Sequence, residues 1–358
     1  MAVDRQTNEM RTIKNPPSPF DTPHVEWLGP PPPARLVHYE EDARSILSEN
    51  DSPDLPFRWS VNPYRGCQHA CAYCYARPTH EYLGFGAGTD FETRIVVKRN
   101  APELLAAAFR SRRWKRDFVA FSGVTDCYQA LEAVHELTRR CLEVCDRFRN
   151  PVAIVTKSAL VRRDLDLLQR LHERAGVIVH ISLPFADPGM ARRIEPGVPS
   201  PRHRLETMAA LADAGIEVGV LVAPVVPGLN DQDLPEILER SRDHGARSAG
   251  FAALRLPGSV REVFLERLDQ VEPGRAGRVR ARIQEMRQGE WNDSRFGHRM
   301  RGQGPYWRSV EQLFEIHCRR LGLDRAERRR PILRSPTVRP TPRQGQLFGS
   351  SEAPQSLE

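Results

Sequence analysis

Cys67, Cys71 and Cys74 stand in the order C-x3-C-x-Tyr-C, with Tyr73 directly before the third thiol. Thiolates are soft ligands that suit zinc or iron–sulfur clusters. A structural zinc ion asks for four ligands in a closed tetrahedron, usually as two separated pairs. Here three cysteines crowd one loop, and no partner pair of C-x2-C spacing stands elsewhere in the chain. His69 offers a fourth donor, but ring closure is awkward for a residue between the first two cysteines. Three thiolates on a [4Fe–4S] cubane leave one iron without a protein ligand, which chemistry needs and structure does not. The pattern points to a catalytic cluster, with zinc as the alternative.

Such a loop needs a frame. After residues 58–66, a short strand leading into the cysteines, apolar β-branched runs alternate with helical segments. The strands expected are 117–123, 152–158, 177–185, 216–228 and 248–256, separated by helices at 131–148, 163–175, 201–214 and 234–244. An earlier helix, capped by Asn100, runs to about Arg113. Continuous apolar runs rather than alternation indicate a parallel sheet buried on both faces. Six βα units give an α/β fold, a partial (β/α)6 barrel, with functional residues at the C-terminal strand ends. These ends are 122–128, 156–158, 182–185 and 223–230.

Four segments are expected. Residues 1–56 form an extended Pro-rich lead-in with a short helix near 39–48, and 57–260 form the barrel core. Residues 261–324 form a basic helical extension, and 325–358 a disordered basic tail. The chain of 358 residues carries a net charge of +7. The lead-in holds −5 and the tail +4, leaving +8 on residues 57–324. A basic body favours a polyanionic partner, although solubility alone explains it equally well. No apolar run is long enough to span a bilayer, and no secretory signal opens the chain. The expected compartment is the cytoplasm, without membrane attachment. Seven cysteines, an odd count with three inside eight residues, argue against a disulfide framework.

The cysteine motif at the end of a first strand resembles the signature of the radical SAM superfamily. NPYRGCQHACAYCYARPTHEYLG, SGVTDCYQ and IVTKS followed by RRDLDLL are similar to its spore photoproduct lyase-like branch, often labelled DNA repair photolyase-related. The similarity runs from about Pro53 to Leu323. This resemblance implies a radical SAM barrel whose Cys67, Cys71 and Cys74 hold a [4Fe–4S] cluster. The open iron would chelate S-adenosylmethionine, and an electron from an external reductant would yield methionine and a 5′-deoxyadenosyl radical. It also implies that Ser122, Gly123, Thr125 and Asp126 meet the cofactor's amino end. Lys157 would meet its carboxylate, Ser182 its ribose, and the backbone of 224–231 its adenine. Tyr73 would lie beside the cluster, and Glu195 would pair with Arg202 over the mouth.

Cys127, on the strand-end loop, is the candidate catalytic thiol: a hydrogen donor, a redox group, or a packed small hydrophobe. Cys141, Cys145 and Cys318 read as core. RSRRWKR (110–116) sets five positive charges around Trp114, suited to phosphate and base contact or to a solvated helix end. Gln344, Leu347 and Phe348 resemble the Q-x-x-Leu-Phe peptides that dock on the replication sliding clamp. The function expected is radical SAM chemistry, of lyase or transferase type, on damaged DNA or another nucleic acid. The alternatives are modification of tRNA or a peptide, and a non-catalytic metal-binding nucleic-acid module.

Overall fold

The computed structural model describes residues 15–16 and 35–326. The clamp-like peptide, nearly all of the tail and most of residues 1–34 lie outside the described residues. The first strands are β1 (Val37–Glu41), β2 (Leu47–Glu49), β3 (Trp59–Val61) and β4 (Tyr64–Arg65). The cysteine loop follows, then α1 (Thr89–Thr93), β5 (Arg94–Lys98) and α2 (Ala101–Arg110). Next come β6 (Val119–Phe121), α3 (Glu132–His135), α4 (Leu137–Phe148), β7 (Val152–Thr156), α5 (Leu165–Arg174) and β8 (Val177–Ser182). The chain continues through α6 (Pro188–Ile194), α7 (Pro201–Asp213), β9 (Glu217–Val225), α8 (Leu234–Asp243) and β10 (Ser248–Ala253). Helices α9 (Val260–Val271), α10 (Pro273–Met286) and α11 (Gly304–Leu321) and the short β11 (Asp324–Arg325) complete it.

Among the described residues the main sheet runs β11-β10-β9-β8-β7-β6-β3-β2. From β3 to β10 every pairing is parallel, and the antiparallel β2 closes one edge. Each parallel strand lies beside the next in sequence. With right-handed crossovers this order puts all the crossover helices on one face, as in a barrel, and leaves the other face to line an interior. The edges β2 and β11 do not meet. The expected partial (β/α)6 arrangement is therefore the one observed.

The outward set is apolar for this reason. Val177, Val179 and Ile181 of β8 join Val218, Val220 and Val222 of β9 in the core under the helices. A second, small sheet, β1-β5-β4, holds the chain just before the cysteines.

Three local expectations give way. Residues 39–48 hold no helix; β1 pairs in parallel with β5 and β2 antiparallel with β3, so tertiary pairing overrides the local pattern. The segment 131–148 is two helices, broken at Glu136 with φ 50°. The break lets the buried Glu132 carboxylate accept from the Thr138 and Arg139 amides at 2.9 and 3.2 Å, capping α4. Asn100 does not cap α2 through its side chain. Its amide instead exchanges hydrogen bonds with both backbone groups of Ala43, at 3.0 and 2.9 Å. No helix among the described residues is long and apolar enough to cross a membrane.

Candidate active site

Each of the three cysteines opens a turn. The carbonyls of Cys67, Cys71 and Cys74 accept from the amides three residues on, at 3.3, 3.2 and 3.2 Å. Cys67 and Cys71 are buried, Cys74 is half-buried, and all three thiols are free. Gly66, at φ 78°, leads in; a Cβ there would lie 2.9 Å from both His80 and Ile95 side chains.

The loop is fastened from several sides. Arg77, fully buried, spans Cys71 O (3.0 and 2.9 Å), Ala87 O (2.9 Å), Gly88 O (3.0 Å) and the buried Glu92 carboxylate (2.5 Å). Gln68 N donates to Gln129 Oε1 at 3.1 Å, Leu131 N donates to Gln68 Oε1 at 2.8 Å, and Gln129 Nε2 donates to Gly66 O at 3.2 Å. Behind the loop, Ala72 N bonds Ile194 O and Gly197 N bonds His69 O. A side chain on Gly197 would collide with the Gln68 carbonyl.

Asp126 ties this loop to two strand ends. Its carboxylate lies 3.3 Å from His69 Nδ1 and accepts from Thr156 Oγ1 (2.7 Å), Lys157 N (2.7 Å) and Tyr128 N (2.9 Å). Burial alone would raise this carboxyl, but His69 and the hydrogen bonds from Lys157 N and Thr156 Oγ1 hold it at about 2. A carboxylate lowered on folding stabilises the fold above its ordinary value of 3.8, and that contribution is lost as pH falls through about 2. Asp126→Asn should therefore destabilise most at neutral pH, and urea unfolding should show the gap closing below pH 3.8. A constant gap would show that the charge is not what the neighbours hold.

Ser122 takes φ 77°, and its Oγ accepts from Cys127 N at 2.9 Å. Gly123 is bare because a Cβ would stand 3.2 Å from Ser60, and its carbonyl accepts from Tyr75 OH at 2.5 Å. Asn62 Oδ1 takes the Val124 amide at 2.8 Å, and Thr125 Oγ1 reaches Tyr64 O at 3.4 Å. Lys157, at the end of β7, holds Nζ 5.8 Å over the Tyr73 ring and makes no ion pair among the described residues. Burial would lower its ammonium, yet Cys71 and Glu195 raise it above the ordinary value. Tyr73 OH donates to Glu195, whose other oxygen pairs with Arg204 Nη2 at 2.5 Å; all three are buried. Arg204 also donates to the carbonyl of Ser182 at 3.1 Å.

The structure thus brings Tyr73, Asp126, Lys157 and Ser182 into one network around the cysteine loop. It changes one pairing: Glu195 meets Arg204, not Arg202, which pairs outward with Glu206 at 2.7 Å. Two residues apart on α7, the two arginines point to opposite sides of the helix. Sequence reasoning missed Arg77, Gln68 and Gln129, for which the sequence carries no spacing signal.

Cys127 is fully buried in the main core with Phe121, Tyr128 and Cys141, away from solvent. Burial first, and then Asp126, push its thiol well above the ordinary value. We expect Cys127→Ala to cost about 1–2 kcal/mol in denaturant unfolding while cleavage of S-adenosylmethionine continues. Loss of cleavage in a stably folded variant would give the thiol a catalytic role. Trp114 stacks on Phe109 at 4.9 Å and lines, with Arg58, Trp59, Arg113, Lys115 and Asp117, a cleft of about 340 Å³. Trp59 opens β3 and Asp117 precedes β6, so this cleft lies at the end of the sheet opposite the cysteines.

Three thiols could hold one ion or a cluster. Among the described residues no three His, Cys, Asp or Glu side chains converge tightly enough to hold a metal ion. The donor set itself, three soft thiols on one loop with no fourth thiol on it, fits a cubane that leaves one iron open. Burial pushes the Cys67 thiol up to about 12 and the Cys71 thiol well above its ordinary value, so a thiolate here calls for a cation beside it.

The sequence pattern of the radical SAM superfamily matches residues 61–240. An uncharacterized protein of Mycobacterium tuberculosis is 41% identical over 248 residues, covering 68% of this chain and 73% of that protein. An uncharacterized protein of Methanocaldococcus jannaschii is 31% identical over 174 residues, covering 49% of this chain and 62% of that protein. Among solved structures, spore photoproduct lyase complexed with dinucleoside spore photoproduct superposes with a TM-score of 0.56. It covers 80% of this chain and 81% of that one at 17% identity, a likeness of fold. With the pattern covering half of the chain, from the end of β3 through the cysteine loop and strands β6 to β9, the chain belongs to the radical SAM superfamily, enzymes that work with a [4Fe–4S] cluster and S-adenosylmethionine.

Proposed function

We propose that Cys67, Cys71 and Cys74 hold the [4Fe–4S] cluster and that the enzyme starts radical chemistry on a nucleic acid, damaged DNA first. The observation that carries the first half is the buried loop of three free thiols fastened to the ends of β6, β7 and β8. When bound, the cluster and S-adenosylmethionine supply reductive cleavage and hydrogen abstraction. The chain's own residues do the positioning. Lys157 offers an ammonium with no carboxylate partner, suited to the cofactor's carboxylate. Ser182 stands at the next strand end, where it suits the ribose. Asp126 is already saturated by His69, Thr156, Lys157 and Tyr128, so its part is to hold the loop and strand ends together.

The basic body and the fold shared with a lyase seen with dinucleoside spore photoproduct support a nucleic-acid substrate. In this reading the enzyme works in the cytoplasm with an external one-electron reductant. Gln344, Leu347 and Phe348 would dock it on a sliding clamp. The test is anaerobic reconstitution with dithionite, scoring 5′-deoxyadenosine with and without ultraviolet-irradiated DNA. Release stimulated by damaged DNA is expected. Release indifferent to DNA and stimulated by tRNA would move the substrate to RNA, and no release at all would overturn the cluster assignment.

A further inference from the structure

The inner face of the sheet carries a feature that the cofactor site leaves unused. Val177, Val179 and Ile181 pack under the helices, so Ile178, His180 and Ser182 of β8 face the interior. On β9 the same alternation turns Gly219 and Leu221 inward. The strand register sets His180 beside Gly219, and Gly219 beside Ser248 of β10. The three form one row across the inner face, two residues below the level of Ser182.

A Cβ on Gly219 would collide with Ser248 Oγ and lie 2.7 Å from His180 Cδ2. Glycine is thus what lets the imidazole and the hydroxyl lean together over bare backbone. Both are deeply buried, His180 at 7% and Ser248 at 0% exposure, yet His180 Nε2 and Ser248 Oγ have no hydrogen-bond partner in the protein. Buried polar groups are nearly always satisfied, so two orphans converging on one glycine call for a partner from outside the chain. Neither atom has accessible surface in the unliganded chain, so a partner reaches them when neighbouring inner-face side chains shift. Val155, the β7 neighbour of His180 in the same row, is only partly buried, as are Leu221 and Ala252 on the inner face.

We propose that His180 and Ser248 form the floor of the substrate chamber and hydrogen-bond an uncharged polar edge of the substrate, the amide or imide edge of a nucleobase. The choice of a nucleobase rests on the nucleic-acid reading above; the demand for an uncharged partner rests on the pair itself. Burial brings the imidazole down to about 4, so at neutral pH it is uncharged, donating from one nitrogen and accepting at the other. The hydroxyl also does both. A neutral donor–acceptor pair matches a base edge and offers nothing specific to a phosphate.

The test uses the anaerobically reconstituted enzyme with thymidine and uridine as probes and ribose 5-phosphate as the anionic control. Binding is followed by saturation-transfer NMR, and S-adenosylmethionine affinity by equilibrium dialysis. A nucleoside should bind, and ribose 5-phosphate should not compete. His180→Phe and Ser248→Ala should each weaken nucleoside binding about tenfold, whereas His180→Asn, which keeps a donor and an acceptor, should stay within roughly threefold. If His180→Phe fails to fold, Ser248→Ala, a one-atom deletion, decides alone. Three results would overturn the proposal: no nucleoside bound by the wild type, binding indifferent to Ser248→Ala (a buried water then satisfies the pair), or a parallel loss of S-adenosylmethionine affinity. Nucleoside binding through this pair without DNA-dependent turnover would remove the damaged-DNA reading alone. DNA-dependent turnover with an indifferent pair would remove this one alone.

Discussion

Alanine at Cys67, Cys71 or Cys74 is expected to abolish 5′-deoxyadenosine release and to bleach the broad absorbance near ~400 nm that thiolate-to-iron charge transfer gives. The expectation is specific because the loop does not depend on its thiols for shape. Its turns are backbone hydrogen bonds, Arg77 holds the Cys71 carbonyl, and Gln68 and Gln129 bind it to the segment after β6. Removing one Sγ therefore removes a ligand and leaves the cradle. Cys74 gives the cleanest case, because it is half-buried and its truncation costs little packing. Iron per chain after reconstitution is the direct measurement, with Cys141→Ala, a core thiol on α4, as the comparison. A variant that keeps full iron and full cleavage would strike its cysteine from the ligand set.

The second large effect lies at Arg77. Its guanidinium is fully buried, and its charge is matched by Glu92, itself 3% exposed. Arg77→Met strands that carboxylate in a low-dielectric pocket and deprives the Cys71, Ala87 and Gly88 carbonyls of donors. Breaking a buried pair from one side costs about 3–5 kcal/mol, which denaturant unfolding would read as a lowered midpoint. Arg77→Met combined with Glu92→Leu should recover much of that stability, since no unpaired charge remains. The double variant should still load iron poorly, because Cys71 is no longer held. Equal destabilisation of the single and double variants would mean that the stranded charge is not the cause. Full iron loading in the double variant would mean that Arg77 does not position the loop.

The cysteine spacing and the parallel strands were legible in the sequence because both are local. Three thiols within eight residues restrict the metal chemistry without reference to the rest of the chain. Runs such as VAIVT and VIVHIS announce strands buried on both faces, and helical segments between them force crossovers and a single direction. From these the six-unit order follows, and with it the placement of Lys157 and Ser182 at strand ends.

What the sequence could not decide depends on register and helix phase between distant segments. Glu195 finds Arg204 rather than Arg202 because of where α7 sits in its turn. Asp126 lies 57 positions after His69, and only the fold brings the C-terminal ends of β6 and β7 and the cysteine loop to one point. Cys127 adjoins that carboxylate in sequence yet turns into the core, since the Ser122 hydroxyl holds its amide and the Thr138 hydroxyl its carbonyl. His180, Gly219 and Ser248 become one row solely through strand pairing. Local spacing fixes which chemistry the chain can hold, while long-range pairing, where a one-residue slip turns every side chain to the opposite face, selects which groups meet it.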